Sequence, residues 1–202
     1  MIIKSFELEK LKSAKFNLHL IYGNNEGIKV DIINNFYLKE FNGDILKYEE
    51  QEILDNKDQF ISDLLTKSLF ENNKLIIISR ATDKLVDIIK YILERKTIET
   101  KIIIKSSNLE KKSKLRNLFE KINEVICTPV YEDDLKSLSI VIQNYLRENK
   151  FNLSQEIKNI PIERAKGDRI NLKNELIKLK NLSISKNKLS IDDVLKLSNL
   201  AE

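Results

Sequence analysis

The stretch Leu18–Ile33 reads LHLIYGNNEGIKVDII, and it has the form of a strand, a glycine turn and a helix. The residues before Gly23 are mostly apolar, and the isoleucines that follow Gly27 recur at the spacing of one helix face. A strand that runs directly into a helix is typical of a βαβ unit, in which the strands lie parallel. We therefore expect an α/β fold that begins here.

The glycine turn has the shape of a phosphate-binding loop without its chemistry. The motif G-x-x-x-x-G-K-[ST] supplies backbone N–H groups and a Lys to phosphates and a hydroxyl to Mg²⁺. Here Gly23 and Gly27 are one residue too close, Lys29 does not follow Gly27 directly, and Val30 replaces the hydroxyl. Asn25 also breaks the alternative motif G-x-G-x-x-G. We interpret the turn as a degenerate, non-functional P-loop.

Strand and helix patterns alternate over the first two thirds of the chain. The β-prone runs are Phe16–Tyr22, Asp44–Tyr48, Lys74–Ser79, Lys101–Lys105 and Val125–Thr128. LIIIS and KIIIK are apolar almost throughout, as expected for strands covered on both faces. The alternation predicts a three-layer α/β domain with a parallel sheet.

After Pro129 the chain shows only amphipathic helical patterns. Asp168 and Ser190 are predicted N-caps, Gly167 a break between helices, and Pro161 a residue that starts, bends or shortens its helix. We expect two domains: residues 1–136 form the α/β domain and residues 137–202 a small, all-helical lid.

Composition excludes several classes of function. The chain has 202 residues, 42% of them hydrophobic, and one Cys and one His. No apolar run approaches the roughly 20 residues of a membrane helix, so we expect no membrane span. One Cys and one His cannot build a zinc site, and we expect no metal, no cofactor and no catalytic residue. A cytoplasmic location fits a chain that cannot form an internal disulfide.

Charge gives only a weak indication of nucleic-acid binding. The net charge is +4, from 35 basic and 31 acidic residues that are mixed along the chain. One cluster, Lys111, Lys112, Lys114 and Arg116, could contact DNA phosphates, although such clusters are more often solvated helix starts.

Four stretches, in their order and spacing, together resemble one family. They are LIYGNNEGIKVDII at Leu20–Ile33, KSLFENNKLIIIS at Lys67–Ser79, KIIIKSSNLEKKSKLRNLFEK at Lys101–Lys121 and GDRINLKNELIKL at Gly167–Leu179. The last is similar to the helix motif G-D-x-R-x-L-x-N-E-L-x-K-L, with Ile170 and Asn171 spaced differently. The chain resembles the delta-subunit family of the bacterial DNA polymerase III clamp loader, which has the AAA+ architecture.

The resemblance implies a replication protein that does not hydrolyse ATP itself, although it belongs to a DNA-directed DNA polymerase holoenzyme. Delta subunits keep the AAA+ fold without a working ATP site, and this chain also lacks an acidic Walker-B run and an arginine finger. Delta binds the ring-shaped sliding clamp, the beta subunit, and holds it open. A Leu–Phe pair anchors it, and the matching residues here are Leu69 and Phe70, preceded by Ser68.

Further partners implied by the resemblance are the gamma/tau and delta-prime subunits, and an indirect contact with DNA. Family members continue into a third, helical collar domain, whereas this sequence stops at Glu202, so we expect a shortened or incomplete chain. Two alternatives stay open: an active P-loop ATPase with an unusual loop that uses Lys29, and a DNA-binding adaptor of AAA+ fold.

Overall fold

The computed structural model describes residues 1–5, 7–12, 16–65, 73–95, 100–186 and 189–199. It divides into two compact units. The α/β unit comprises Met1–Asn24 and Ile28–Tyr131, and the helical unit comprises Asn25–Gly27 and Glu132–Glu202. The domain limits expected from the sequence, 1–136 and 137–202, stay a prediction.

The α/β unit is built on a five-stranded parallel sheet, as the alternation of strands and helices predicts. The strands are β1 (Leu18–Tyr22), β2 (Gly43–Glu49), β3 (Asn73–Ser79), β4 (Lys101–Ser106) and β5 (Ile126–Pro129), in the order β2-β3-β4-β1-β5. In the centre of the sheet Leu20 pairs with Ile104 on one side and Cys127 on the other. All five predicted strands are confirmed, and their ends differ from the predicted ends by two residues or fewer.

Helices of the α/β unit occupy both sides of this sheet. They are α1 (Glu26–Ile32), whose first two residues belong to the helical unit and which continues as a π-helical segment (Ile33–Leu38), α2 (Glu50–Asp55), α3 (Lys57–Leu65), α4 (Val86–Glu94) and α5 (Lys114–Lys121), with short 3-10 helices at Leu8–Lys12 and Asp83–Leu85. Alternate residues of β3 enter different apolar clusters: Ile76 and Ile78 pack with Ile89 of α4, whereas Leu75 and Ile77 pack with residues of α1. The apolar character of this strand therefore follows from burial on two faces.

The helical unit contains α6 (Leu135–Glu148), α7 (Gln155–Ala165), α8 (Arg169–Ser185) and α9 (Ile191–Asn199). Asp168 caps α8 by accepting from the N–H groups of Ile170 and Asn171, at 2.7 and 3.2 Å, and Ser190 accepts from the Asp193 N–H at 3.2 Å. These two predicted N-caps are confirmed.

Two residues of this unit, Gly167 and Pro161, were predicted to interrupt or alter helices. Gly167 has φ +82° and separates α7 from α8, as predicted. Pro161 lies inside α7 and is buried, so the helix neither begins nor ends there. Burial of the apolar ring offsets the hydrogen bond that Pro161 cannot donate.

None of the described helices is both long and apolar enough to span a bilayer.

Candidate functional site

Gly23 closes the end of β1 against the protein's own backbone. Its φ of +133° lies outside the region that side-chain-bearing residues prefer, and a Cβ there would lie 1.9 Å from the Val130 carbonyl oxygen. The Gly23 N–H donates to the carbonyl oxygens of Ser107 and Ser106, at 3.1 and 3.3 Å. A glycine is therefore required here by the close approach of Val130, which follows β5, and its N–H is bonded to the last residue of β4 and the residue after it.

Lys29 is turned into the α/β unit. Only 1% of the residue is exposed, and its Nζ donates to the Ser106 carbonyl oxygen at 2.8 Å. Ser106 is the last residue of β4 and is itself buried, with its hydroxyl bonded to the Ala81 carbonyl at 2.6 Å. Lys29 and the Gly23 N–H thus share one internal acceptor, where a P-loop would direct both kinds of donor toward phosphate.

The start of α1 also disfavours an anion. Glu26 is an acidic residue of the first turn, and its charge opposes the approach of a second negative group to this helix end. Val30, at the position of the magnesium-binding hydroxyl, is 43% exposed and has no side-chain oxygen. The α/β unit therefore keeps the strand–turn–helix shape while its polar groups serve the fold.

Within the helical unit, Asn25 belongs to a polar cluster with Asp133 and Arg169. The Asp133 carboxylate accepts from the Asn25 amide at 2.8 Å and from the Arg169 guanidinium through Nε at 2.9 Å and through a terminal nitrogen at 2.5 Å. The Asp133 side chain is only 1% exposed. Burial alone would raise the pKa of Asp133, but the hydrogen bonds from Arg169 and Asn25 outweigh it, and the pKa is lowered.

Gly27 allows this cluster to close. A Cβ at Gly27 would lie 2.9 Å from the Arg169 Cβ, at the first residue of α8. Within the helical unit, Arg169 therefore lies beside Gly27, and its guanidinium donates to Asp133. The sequence predicted the degenerate turn but missed this cluster, because Asp133 and Arg169 lie 36 positions apart. The visible signal was the Asp-Arg pair at the start of GDRINLKNELIKL.

The predicted clamp-binding residues lie outside the described part of the structure. Ser68, Leu69 and Phe70 fall between the end of α3 and the start of β3. Their role stays a prediction.

The predicted DNA contacts lie around the start of α5. Lys111, Lys112 and Lys114 are exposed. Lys112 lies 2.9 Å from a Glu110 carboxylate oxygen, in a pair that is exposed on both sides. Exposed lysines of this kind are compatible with contact to a phosphate backbone but do not specify it.

Arg116, the fourth predicted DNA contact, is bonded to other groups of the α/β unit. Its Nε donates to Glu120 at 2.7 Å, and a terminal nitrogen donates to the Leu109 carbonyl at 3.1 Å. The Asp83 carboxylate accepts from the backbone N–H groups of Leu115 and Lys114, at 2.9 and 3.0 Å. A carboxylate of the protein therefore fills the helix start where an external phosphate would otherwise bind.

His19 and Cys127 are packed side chains of the sheet. The His19 ring nitrogens lie 2.5 Å from the Tyr37 hydroxyl and 2.8 Å from the Thr128 hydroxyl. Burial lowers the pKa of His19 to about 3 and raises the pKa of Cys127 to about 12. Neither group has the environment of an activated base or nucleophile. Within the described ranges, His, Cys, Asp and Glu form no group of three that could hold a metal ion.

No protein-family model matches the chain, and no curated protein matches it. Solved structures do match. The Bacillus subtilis DNA clamp loader delta protein (YqeN) is 17% identical, with a TM-score of 0.60 over 96% of this chain and 62% of that chain. Domain III of the Thermotoga maritima replication initiation protein DnaA is 15% identical, with a TM-score of 0.58 over 96% of this chain and 88% of that chain.

A third similar structure is the Thermotoga maritima RuvB Holliday junction branch migration motor. It is 14% identical, with a TM-score of 0.61 over 97% of this chain and 66% of that chain. Such low identities concern the fold alone. The protein has an AAA+-like fold, with a parallel α/β unit and a helical unit, and its structural neighbours include a replication initiation protein and a DNA clamp loader protein. The chain spans less than two thirds of the clamp loader delta chain.

Proposed function

We propose that this chain is part of a clamp-loader subunit of the delta type, which binds a sliding clamp and favours its opening during DNA replication without hydrolysing ATP. One observation carries the proposal: in an AAA+-like fold, the Gly23 N–H and the Lys29 ammonium group are both bonded to the Ser106 carbonyl. Two donors of the kind that a P-loop directs toward phosphate are therefore used inside the protein.

Rebuilding a phosphate site would require these internal bonds to break. A hydrogen bond to a charged group contributes roughly 1.5–3 kcal/mol, and the carbonyl that Lys29 leaves would have to find another donor. The carboxylate of Glu26 in the first turn of α1 would add repulsion. These costs favour a scaffold role over the alternative of an active ATPase.

The binding role rests on the resemblance of KSLFENNKLIIIS to the clamp-binding segment of delta subunits. Leu69 and Phe70 would enter an apolar groove of the clamp, and burial of each side chain would contribute roughly 1.5–3 kcal/mol. A subunit that binds the opened ring more tightly than the closed ring shifts the equilibrium toward opening by that difference. ATP in neighbouring gamma/tau subunits would then control when the surface of delta becomes available, with delta prime completing the loader.

Binding to the sliding clamp of the same organism tests the proposal. Surface plasmon resonance with immobilised clamp should give saturable binding of the wild-type chain. The Leu69→Ala, Phe70→Ala double variant should bind on the order of 100-fold more weakly, because about 3 kcal/mol of apolar burial is lost.

A matched control is Ile45→Ala on β2, since Ile45 is 43% exposed in the same unit. This variant should bind as the wild type does. Circular dichroism of all three proteins must show the same helical content. Equal binding by the double variant would place the anchor elsewhere, and failure of the folded wild type to bind would reject the clamp-binding role.

A further inference from the structure

The outward face of α8 is apolar as well as its buried face. Leu172, Leu176 and Leu179 are buried in the helical unit. On the opposite side, Ile170, Ile177 and Ile184 are 39%, 48% and 79% exposed. A surface helix usually carries one apolar face and one polar face, so this second row of isoleucines needs its own explanation.

The second row follows the spacing of a helix–helix seam. Ile170, Asn174, Ile177, Asn181 and Ile184 succeed one another at alternating steps of four and three residues, and all five are exposed. We call these five residues the Ile/Asn stripe. A four-three repeat is the pattern by which two helices pack along a common seam, and Asn at alternate seam positions fixes register and partner choice at some cost in stability. The stripe extends over roughly 20 Å of helix.

A groove lies beside the middle of the stripe. Its volume is about 500 Å³, and its lining residues are Arg164, Asn171, Asn174, Glu175, Ile177 and Lys178. Asn174 and Ile177 are members of the stripe, and Ile177 is the one apolar residue among the six that line the groove. This polar groove therefore suits the polar flank of an amphipathic helix whose apolar face lies along the exposed isoleucines.

The borders of the stripe are basic. Lys173 and Lys180 flank it on one side and Lys178 on the other, by their positions around α8. The single acidic residue of α8, Glu175, accepts from Lys178 at 2.7 Å. From Arg164 to Lys186 the chain has seven basic and two acidic residues, against 28 basic and 29 acidic residues elsewhere. Three of the seven are paired with carboxylates, Arg169 with Asp133, Lys178 with Glu175 and Lys186 with Asp193, and Lys180 donates to the Asn149 side chain at 2.6 Å.

This charge pattern selects the occupant. In a pair of two α8 helices, the flanking lysines of one copy would face flanking lysines of the other, and like charges across a seam oppose pairing. We propose that the Ile/Asn stripe docks an α-helix of another protein, with apolar residues at four-three spacing and glutamate or aspartate at the flanking positions. This docking surface is separate from the proposed clamp contact and does not depend on it.

The probe for the test is a fluorescein-labelled synthetic helix of three heptads (about 21 residues) with Ile and Asn at the seam positions and Glu at the flanking positions. A second peptide carries Lys at the same flanking positions. Fluorescence anisotropy with the whole chain at low salt should give saturable binding of the Glu peptide, with at least about tenfold weaker binding of the Lys peptide.

Two variants of equal exposure separate the stripe from general apolar attraction. Ile177→Asp, at 48% exposure, should weaken binding of the Glu peptide by at least about tenfold. Ile140→Asp on α6, at 49% exposure, should leave it unchanged. The double variant Lys173→Glu, Lys178→Glu should reverse the preference and bind the Lys peptide more tightly.

Three results would overturn the proposal. Failure of the folded wild-type chain to bind the Glu peptide would reject the docking site, and equal binding of the two peptides would reject the charge selection. Sedimentation equilibrium that shows a dimer of the chain, lost in Ile177→Asp, would make a second copy the occupant. Clamp binding by surface plasmon resonance should be the same in Ile177→Asp as in the wild type.

Discussion

The glycine turn after β1 and the outward face of α8 differ in whether their groups already have partners inside the protein. At the turn, the N–H of Gly23 and the ammonium of Lys29 are bonded to the Ser106 carbonyl. On α8, Ile177 and Ile184 are 48% and 79% exposed. The turn resembles a ligand site in sequence, but its donors are bonded inside the protein, and we call it the closed side. The outward face of α8 has no such motif in sequence, but its isoleucines are exposed, and we call it the open side.

The difference teaches that binding capacity depends on where polar and apolar groups find their partners. Backbone and ammonium donors bonded to buried carbonyls cannot serve a ligand without breaking those bonds. Covering apolar side chains that are in contact with water lowers the free energy, so such side chains favour binding of a partner. Substitutions at the turn should therefore cost more stability than substitutions on the exposed face of α8.

The largest effect is expected for Gly23→Ala. The added Cβ would meet the Val130 carbonyl oxygen, and the positive φ adds strain, so we expect a loss of roughly 3–5 kcal/mol in the free energy of unfolding. Urea denaturation followed by circular dichroism measures it. Ile177→Ala on the open side should change stability by less than about 0.5 kcal/mol. A Gly23→Ala variant as stable as the wild type would contradict the close approach at this turn.

The next effect is expected for Asp133→Ala, which leaves the guanidinium of Arg169 without its main partner. Loss of one member of a buried pair costs roughly 3 kcal/mol, and urea denaturation should show a loss of that size. Glu110→Ala, which breaks the exposed pair with Lys112, should cost less than about 0.5 kcal/mol. Equal effects of the two substitutions would show that the Asp133–Arg169 pair does not hold the helical unit together.

These two tests mark what the sequence could and could not predict. The strand Lys74–Ser79 was predictable because a short run that is apolar almost throughout is typical of a strand buried on both faces. Asp168 was predictable as an N-cap because capping is local. The bond from Lys29 to Ser106 spans 77 positions, and only the fold brings such groups together.

The stripe on α8 was missed for a different reason. Its spacing can be read directly in RINLKNELIKLKNLSIS, but the buried leucines and the exposed isoleucines lie on opposite faces of one helix. A pattern that is apolar on two faces does not say which face is buried. Pro161 was expected to start, bend or shorten its helix, and it lies inside α7, so the helix neither begins nor ends at this residue.

A smaller effect is expected for the pH dependence of stability, which depends on the buried side chain of His19 in β1. Burial lowers the pKa of His19 to about 3, whereas an unfolded chain has its His pKa near 6.5. The unfolded state therefore binds more protons below pH 6.5. Stability from this group is complete above pH 6.5 and falls by about 1.4 kcal/mol per pH unit below it.

The chain has one His, so between pH 6.5 and pH 5 this slope should come from His19. Urea denaturation at a series of pH values should show a loss of about 2 kcal/mol at pH 5. His19→Gln should remove most of the slope. A wild-type stability that stays constant across this range would contradict a neutral, buried His19.

The smallest effect is expected for Lys29→Met. The variant loses the bond to Ser106, but the Gly23 N–H still donates to the same carbonyl and the apolar side chain removes a buried charge. We expect a change of about 1 kcal/mol or less in thermal or urea unfolding. A loss above about 4 kcal/mol would show that Lys29 holds the turn by more than this bond.

The most direct test of the closed turn is isothermal titration calorimetry of Mg-ATP into the wild-type chain and the Lys29→Met variant, both confirmed as folded by circular dichroism. The internal bonding of Gly23 and Lys29 predicts no saturable binding to either protein at millimolar nucleotide. Saturable binding to the wild type that is lost in Lys29→Met would show that the turn opens to phosphate, and would contradict the proposal of a clamp-binding subunit without its own ATP site.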